Sequence, residues 1–229
     1  MSDREVGGLP VTKKENATVI ISILLALVVK GALEQFFKPI FEGDTKWSDV
    51  PFLHWGQLAL CFVLVFRFYL GATRFIESEP KHLGFFVKAV NLIFSFLLFC
   101  TFYCVALAVS DPGYFYAVVL ALHGIDAAWF ILALVLSYVQ NVPDNMLEDG
   151  EIKIEASRAT MWTFFCLSLA TILFGIGSYW YSGEPITSQA VSTSHWSFLL
   201  FLFAISFFDF ILLKDYYFSF AEWKKSNLA

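Results

Sequence analysis

The chain has 229 residues, of which 58% are hydrophobic and 15% charged, and its mean hydropathy is +0.67. A soluble domain carries about 45–50% apolar and about 25% charged residues, so this composition excludes one and implies a single membrane domain. The formal charge of -5, with lysines and arginines in small groups at segment ends and no basic stripe, excludes nucleic acid as a partner.

Residues 1–16 form a polar tail, too long for the n-region of a signal peptide, and no small-residue cleavage site follows the first apolar run. That run is therefore expected to stay as a span. Six apolar segments of suitable length follow one another at 17–37, 54–74, 88–109, 114–140, 159–181 and 195–213. They lack the alternation and the roughly 10-residue length of barrel strands, and only helices or closed barrels satisfy their backbone in lipid. The expected fold is an all-α membrane protein with six transmembrane helices in one antiparallel bundle. It comprises a tail (1–16), a transmembrane domain (17–213) and an interfacial C-terminal segment (214–229).

On the first segment, Lys30 and Glu34 are an i,i+4 pair in the outer half, close enough to the boundary for the lysine stem to reach outward. Arg67 on the second shares a stripe with Gly71 and Arg74. The third carries Asn91, read as a helix-to-helix hydrogen bond, and Ser95. Ser110-Asp111-Pro112-Gly113 is a tight turn that makes the third and fourth segments neighbours. His123, Asp126 and Ala127 share one side of the fourth, where Gly124 and Ala128 add a small-xxx-small step for close helix approach. The acidic loop 141–158, NVPDNMLEDGEIKIEASR, reads as a solvated linker or as a docking surface for a protein partner. Ser168 lies on the fifth segment; Ser206 and Asp209 lie on the sixth. The run DYYFSFAEWKK mixes aromatic and basic residues and reads as an anchor on the inner membrane surface. Cys61, Cys100, Cys104 and Cys166 all fall within spans and read as packing residues.

With both termini in the cytoplasm, 11 lysines and arginines lie inside (Arg4, Lys13, Lys14, Arg74, Lys81, Lys88, Lys153, Arg158, Lys214, Lys224 and Lys225) against two outside (Lys38 and Lys46). The positive-inside rule favours that orientation. The sequon at Asn16 then falls on the cytoplasmic side, where it has no meaning.

Depth counting brings the intramembrane charges to one level. Arg67 is 12 residues below Trp55, Asp126 is 12 below Tyr114, and Asp209 is 13 below Trp196. At 1.5 Å per residue all three lie about 18 to 20 Å in. Ser95 and Ser168, each 13 residues from the outer end of its helix, reach the same level. The expected layer pairs Asp126 with Arg67, sets Asp209 opposite, and sums to a charge of -1, which in a low dielectric favours uptake of one proton by a carboxylate or by His123.

No HExxH, glycine-rich phosphate loop or GxSxG elbow occurs, and Ser178 and His123 differ by about 9 Å in depth, too far for a nucleophile and its base. No cofactor and no metal site is expected. The leading reading is a non-enzymatic inner-membrane protein, the membrane component or sensor of a larger system, with the lipid bilayer as its surroundings and homo-oligomerisation compatible. The alternative is a small ion or proton channel or ion-coupled transporter that uses the same layer.

Overall fold

A computed structural model describes residues 11–78, 85–139, 147–148, 151–152, 158–183, 185 and 192–217. The first ten residues, most of the 141–158 loop, residues 186–191 and 218–229 lie outside the described residues, as do the side chains of Arg74 and Asn91.

The chain is built of helices α1 (Val11–Phe41), α2 (Phe52–Ser78), α3 (Phe85–Leu107), α4 (Pro112–Val139), α5 (Arg158–Ser182), α6 (Thr193–Leu212) and the single turn α7 (Lys214–Tyr217). Five of them contain stretches long and apolar enough to cross a membrane: Thr18–Phe41, Phe52–Thr73, Pro112–Leu136, Ala159–Ser182 and Thr193–Leu212. These match five of the six expected segments. The third differs: α3 runs for 23 residues, but its described apolar part, Leu92–Leu107, is shorter than a full span.

Local chemistry sets the ends of the helices. Pro112 opens α4 at the position where a missing N–H costs nothing, and the Asp111 carboxylate accepts from the Tyr114 N–H as its cap. Ser192 caps α6 in a box whose reciprocal partner is His195 rather than the usual glutamate or glutamine. At the end of α1 the chain reverses through Gly43, whose φ of 83° favours glycine.

One further element stands in the acidic loop. Leu147–Glu148 pairs antiparallel with Glu151–Ile152, so the region expected to be a solvated linker or a docking surface contains a short strand pair.

Helix packing divides the molecule. α1 lies against α2 and α3, α3 also meets α4, α4 shares its longest interface with α5, and α6 fits between α5 and α2. The main core runs through Val28, Leu60, Leu64, Val105, Val119 and Leu202. A smaller cluster of Phe164, Leu213 and Tyr217, with Leu70, Phe130 and Phe210 around it, packs α7 against the bundle. Large apolar side chains such as Ile20, Leu92, Ile131, Leu173 and Phe207 point outward, as expected of surface bathed in lipid. Close helix approach occurs at glycine, but not at the expected one. A Cβ on Gly124 would meet nothing within 4 Å, and Ala128 is exposed. A Cβ on Gly175 would lie 2.6 Å from Leu120 and 2.7 Å from Phe198, and one on Gly56 would lie 2.5 Å from Leu199. The small-residue contacts therefore seat α6 on α5 and α2, because Gly124 and Ala128 face away from the bundle.

Candidate functional site

The intramembrane charges meet where α2, α4, α6 and α7 converge. Arg67 donates through Nε to Asp209 Oδ2 at 2.6 Å, while its Nη1 stands 3.8 Å from Asp126 Oδ2. Asp209 is the close partner, the reverse of the expected emphasis on Asp126. The packing gives the reason: α2 lies closer along α6 than along α4. The Phe164 ring of α5 lies under the guanidinium, 5.7 Å from its centre, in a cation–π arrangement.

Asp209 receives a second bond on the same oxygen. The Tyr217 hydroxyl donates to Oδ2 at 2.7 Å, and the tyrosine is buried. Burial raises the Tyr217 phenol above its ordinary range, so it serves as a neutral donor. Tyr217 was not among the expected site residues. It lies in the run read as a surface anchor, and nothing in DYYF distinguishes a tyrosine that turns inward from one that lies on the membrane. Gly71, on the Arg67 stripe, lies beside it: the Tyr217 ring is 4.0 Å from where a Cβ would stand, an ordinary contact distance.

The two carboxylates are held differently. Asp209 has a side-chain exposure of 3% and two charge-assisted or strong bonds, whereas Asp126 retains 14% exposure and makes no hydrogen bond through its side chain. At 3.8 Å the Arg67–Asp126 contact exceeds hydrogen-bond length, and it acts through charge alone.

The other expected members stand apart. His123, one turn from Asp126, is buried with neither ring nitrogen hydrogen-bonded. Ser168 is buried and its hydroxyl has no partner, while Ser95 is half-buried; neither is bonded to Arg67 or to a carboxylate. Ser168 does share a face of α5 with Phe164, four residues away, and so adjoins the site without closing it. Lys30 and Glu34 form their pair at 3.3 Å with both side chains exposed. The Ser110 hydroxyl donates to the Gln35 carbonyl, which fixes the α3–α4 turn at the level of Gln35 and leaves Lys30 about 7 Å below that turn. Cys61 is buried and Cys100 half-buried, but Cys104 and Cys166 lie on exposed faces.

A second polar group, absent from the sequence reading, gathers at the opposite end of the same helices. Gln57, Tyr116, Tyr179 and His195 are all buried there. The Tyr116 and Tyr179 rings stand 5.2 and 5.5 Å from the His195 ring, and the Gln57 amide faces the Tyr116 hydroxyl without closing a hydrogen bond. The available signal was the spacing: Tyr116 and His123 are seven residues apart, two turns along one stripe of α4. Among the described residues, no group of three or more His, Cys, Asp or Glu side chains gathers in a form that could hold a metal ion.

Helices of this length and apolarity around a buried Arg67–Asp209 salt bridge define a multi-pass helical membrane protein in contact with the lipid bilayer. No protein family, curated protein or solved structure matches the chain.

Proposed function

We propose that the chain is a non-enzymatic membrane component or sensor of a larger system, in which Arg67, Asp209 and Tyr217 form a fixed latch and Asp126 is the group that exchanges a proton. One observation carries this reading: of two carboxylates sharing a single arginine, one is doubly bonded at 2.6 and 2.7 Å and the other is held at 3.8 Å without a hydrogen bond. The site sums to -1, and taking up a proton on Asp126 neutralises it without breaking the latch. Loss of the Asp126 charge frees α4 from the electrostatic hold of α2, a small displacement that a partner can read. The infrared carboxyl band of the protein in nanodiscs tests this: a band that titrates reversibly in the wild type and disappears in Asp126→Asn is expected, and an unchanged band in that variant rejects the assignment.

A second reading, as a small proton channel or ion-coupled transporter, is favoured by His123, an imidazole buried one turn from Asp126 with no partner on either ring nitrogen. Flux from proteoliposomes under a pH gradient separates the two, because only the transporter reading expects flux that Asp126→Asn abolishes while leaving the fold intact.

The proposed arrangement is six antiparallel crossings, α3 included, with both termini on the cytoplasmic side of a bacterial inner membrane. The lysine and arginine asymmetry of 11 against two supports it. The strand pair of Leu147–Glu148 and Glu151–Ile152 then lies on the cytoplasmic side, where the acidic sequence around it suits a protein partner.

A further inference from the structure

Seven of the buried side-chain atoms close no hydrogen bond: Gln57 Nε2 and Oε1 and Tyr116 OH, which face one another, with His123 Nδ1 and Nε2, Ser168 Oγ and Asp209 Oδ1. They are not scattered. All belong to α2, α4, α5 and α6, whereas the described buried positions of α1 and α3 are apolar, among them Val28, Phe36, Leu98 and Phe102.

The orphaned groups also fall in sequence along the bundle. At one end Gln57 and Tyr116 join His195 and Tyr179. Gln57 is five residues inside α2, Tyr116 four inside α4, Tyr179 three from the end of α5 and His195 two inside α6. That end of the file is within about 3 to 8 Å of the helix termini, a short way from water. His123 follows Tyr116 by two turns of α4, and Asp126 follows His123 by one. On α5, Tyr179, Gly175, Thr171, Ser168 and Phe164 are all buried along one face, and Phe164 underlies Arg67. The file therefore runs from the helix ends near Trp55 to the ionic site.

A dry apolar seam of the same shape would be more stable, because each buried polar atom without a partner keeps the cost of its lost hydration and gains nothing back. Retaining an amide, an imidazole and two hydroxyls in file is consistent with a seam that spends part of its time wet. We infer that the interface between α2, α4, α5 and α6 admits water from the Trp55 end and gives Asp126 its route for proton exchange. In this proposal α6 is the element that closes the seam: its Phe198 is seated on Gly175 and its Leu199 on Gly56. Opening needs only a small withdrawal of α6 from these two glycines, and the orphaned atoms gain their hydrogen bonds as water enters.

The inference rests on Asp126 as the proton-exchanging group, but water entry and Asp126 titration are measured separately and can fail separately. Radiolytic hydroxyl-radical labelling of the unmodified protein in nanodiscs marks side chains beside water. After correction for intrinsic reactivity, Tyr116 and His123 are expected to label faster than Phe102 and Phe115 by roughly tenfold or more, since residues that never meet water stay protected. Equal labelling of the four overturns the proposal. A second measurement uses a background lacking the four native cysteines: Gln57→Cys and Ser168→Cys should react with a charged methanethiosulfonate faster than Leu64→Cys, by a similar factor. If these variants fail to fold, the labelling of the native protein still decides.

Discussion

Exchanging Asp209 for asparagine should cost far more stability than the same change at Asp126. Asp209→Asn removes the charge that receives Arg67 at 2.6 Å and Tyr217 at 2.7 Å, and leaves the guanidinium with one carboxylate at 3.8 Å. Breaking a buried pair by removing one partner costs about 3 to 5 kcal/mol, because the remaining charge stays buried and uncompensated. Asp126→Asn forfeits a longer, non-hydrogen-bonded contact and at the same time relieves repulsion between the two carboxylates, so its cost should be under about 1 kcal/mol. The unfolding free energy of each variant in mixed detergent micelles, titrated with dodecyl sulfate, gives the comparison directly. Equal losses, or a larger loss for Asp126→Asn, would refute the division into a fixed latch and a loosely held carboxylate.

Tyr217→Phe, which keeps the ring in its apolar cluster and removes only the hydroxyl, should cost about 1.5 to 3 kcal/mol as the loss of a hydrogen bond to a charged group, read by the same titration. In a double-mutant cycle the loss should largely vanish on the Asp209→Asn background. Gly175→Ala places a methyl against the Phe198 ring and Leu120 and should cost about 1 to 3 kcal/mol, whereas Gly124→Ala meets open space and should be neutral or stabilise by up to about 1 kcal/mol; thermal unfolding of the pair shows whether the two glycines differ. Replacing Lys30 and Glu34 together by glutamine should change stability by less than about 0.5 kcal/mol, since both side chains are exposed and the pair is a local i,i+4 contact.

Much of the ionic site was legible because helical rise converts sequence position into depth. Counting residues from Trp55 and Trp196 set Arg67 and Asp209 at one level before any packing was known, and the two are in contact. Depth counting carries no azimuth, however. It could not show that α2 lies along α6 more than α4, and so it ranked Asp126 over Asp209 as the partner of Arg67. The same lack of azimuth misled the reading of Gly124 and Ala128: small residues four apart permit close approach, but whether another helix stands there depends on the whole bundle. Ser95 shows the limit from another side, since it is at the right level but on α3, which packs chiefly against α1 and α4 and little against α2. Tyr217 was illegible for a different reason. Its position depends on the break at Leu213, which donates its N–H to the Asp209 carbonyl and separates α6 from α7, and a four-residue turn has no periodicity to read.

The residues that sequence reasoning passed over are joined by a common rule. Gln57, Tyr116, Tyr179 and His195 are each ordinary near a helix end, where amides, phenols and imidazoles commonly meet the membrane surface. Buried together on four helices, they extend the polarity of the Arg67 site to the far end of the same seam, while α1 and α3 present Leu25, Val28, Leu98 and Phe102 to the bundle. The bundle is thus two mechanical halves. A bracket of α1 and α3 packs through apolar side chains, tied to the α3–α4 turn by the Ser110–Gln35 bond, and a polar half of α2, α4, α5 and α6 has its register fixed at one end by the Arg67 latch. A latch at one end, with the unbonded Gln57 amide and Tyr116 hydroxyl toward the other, makes the unlatched end the cheaper one to open. Motion of α6 should therefore be greatest near His195 and least near Asp209. Amide exchange along α6 checks this: protection rising from Phe198 toward Ser206 fits a seam hinged at the latch, and uniform protection does not.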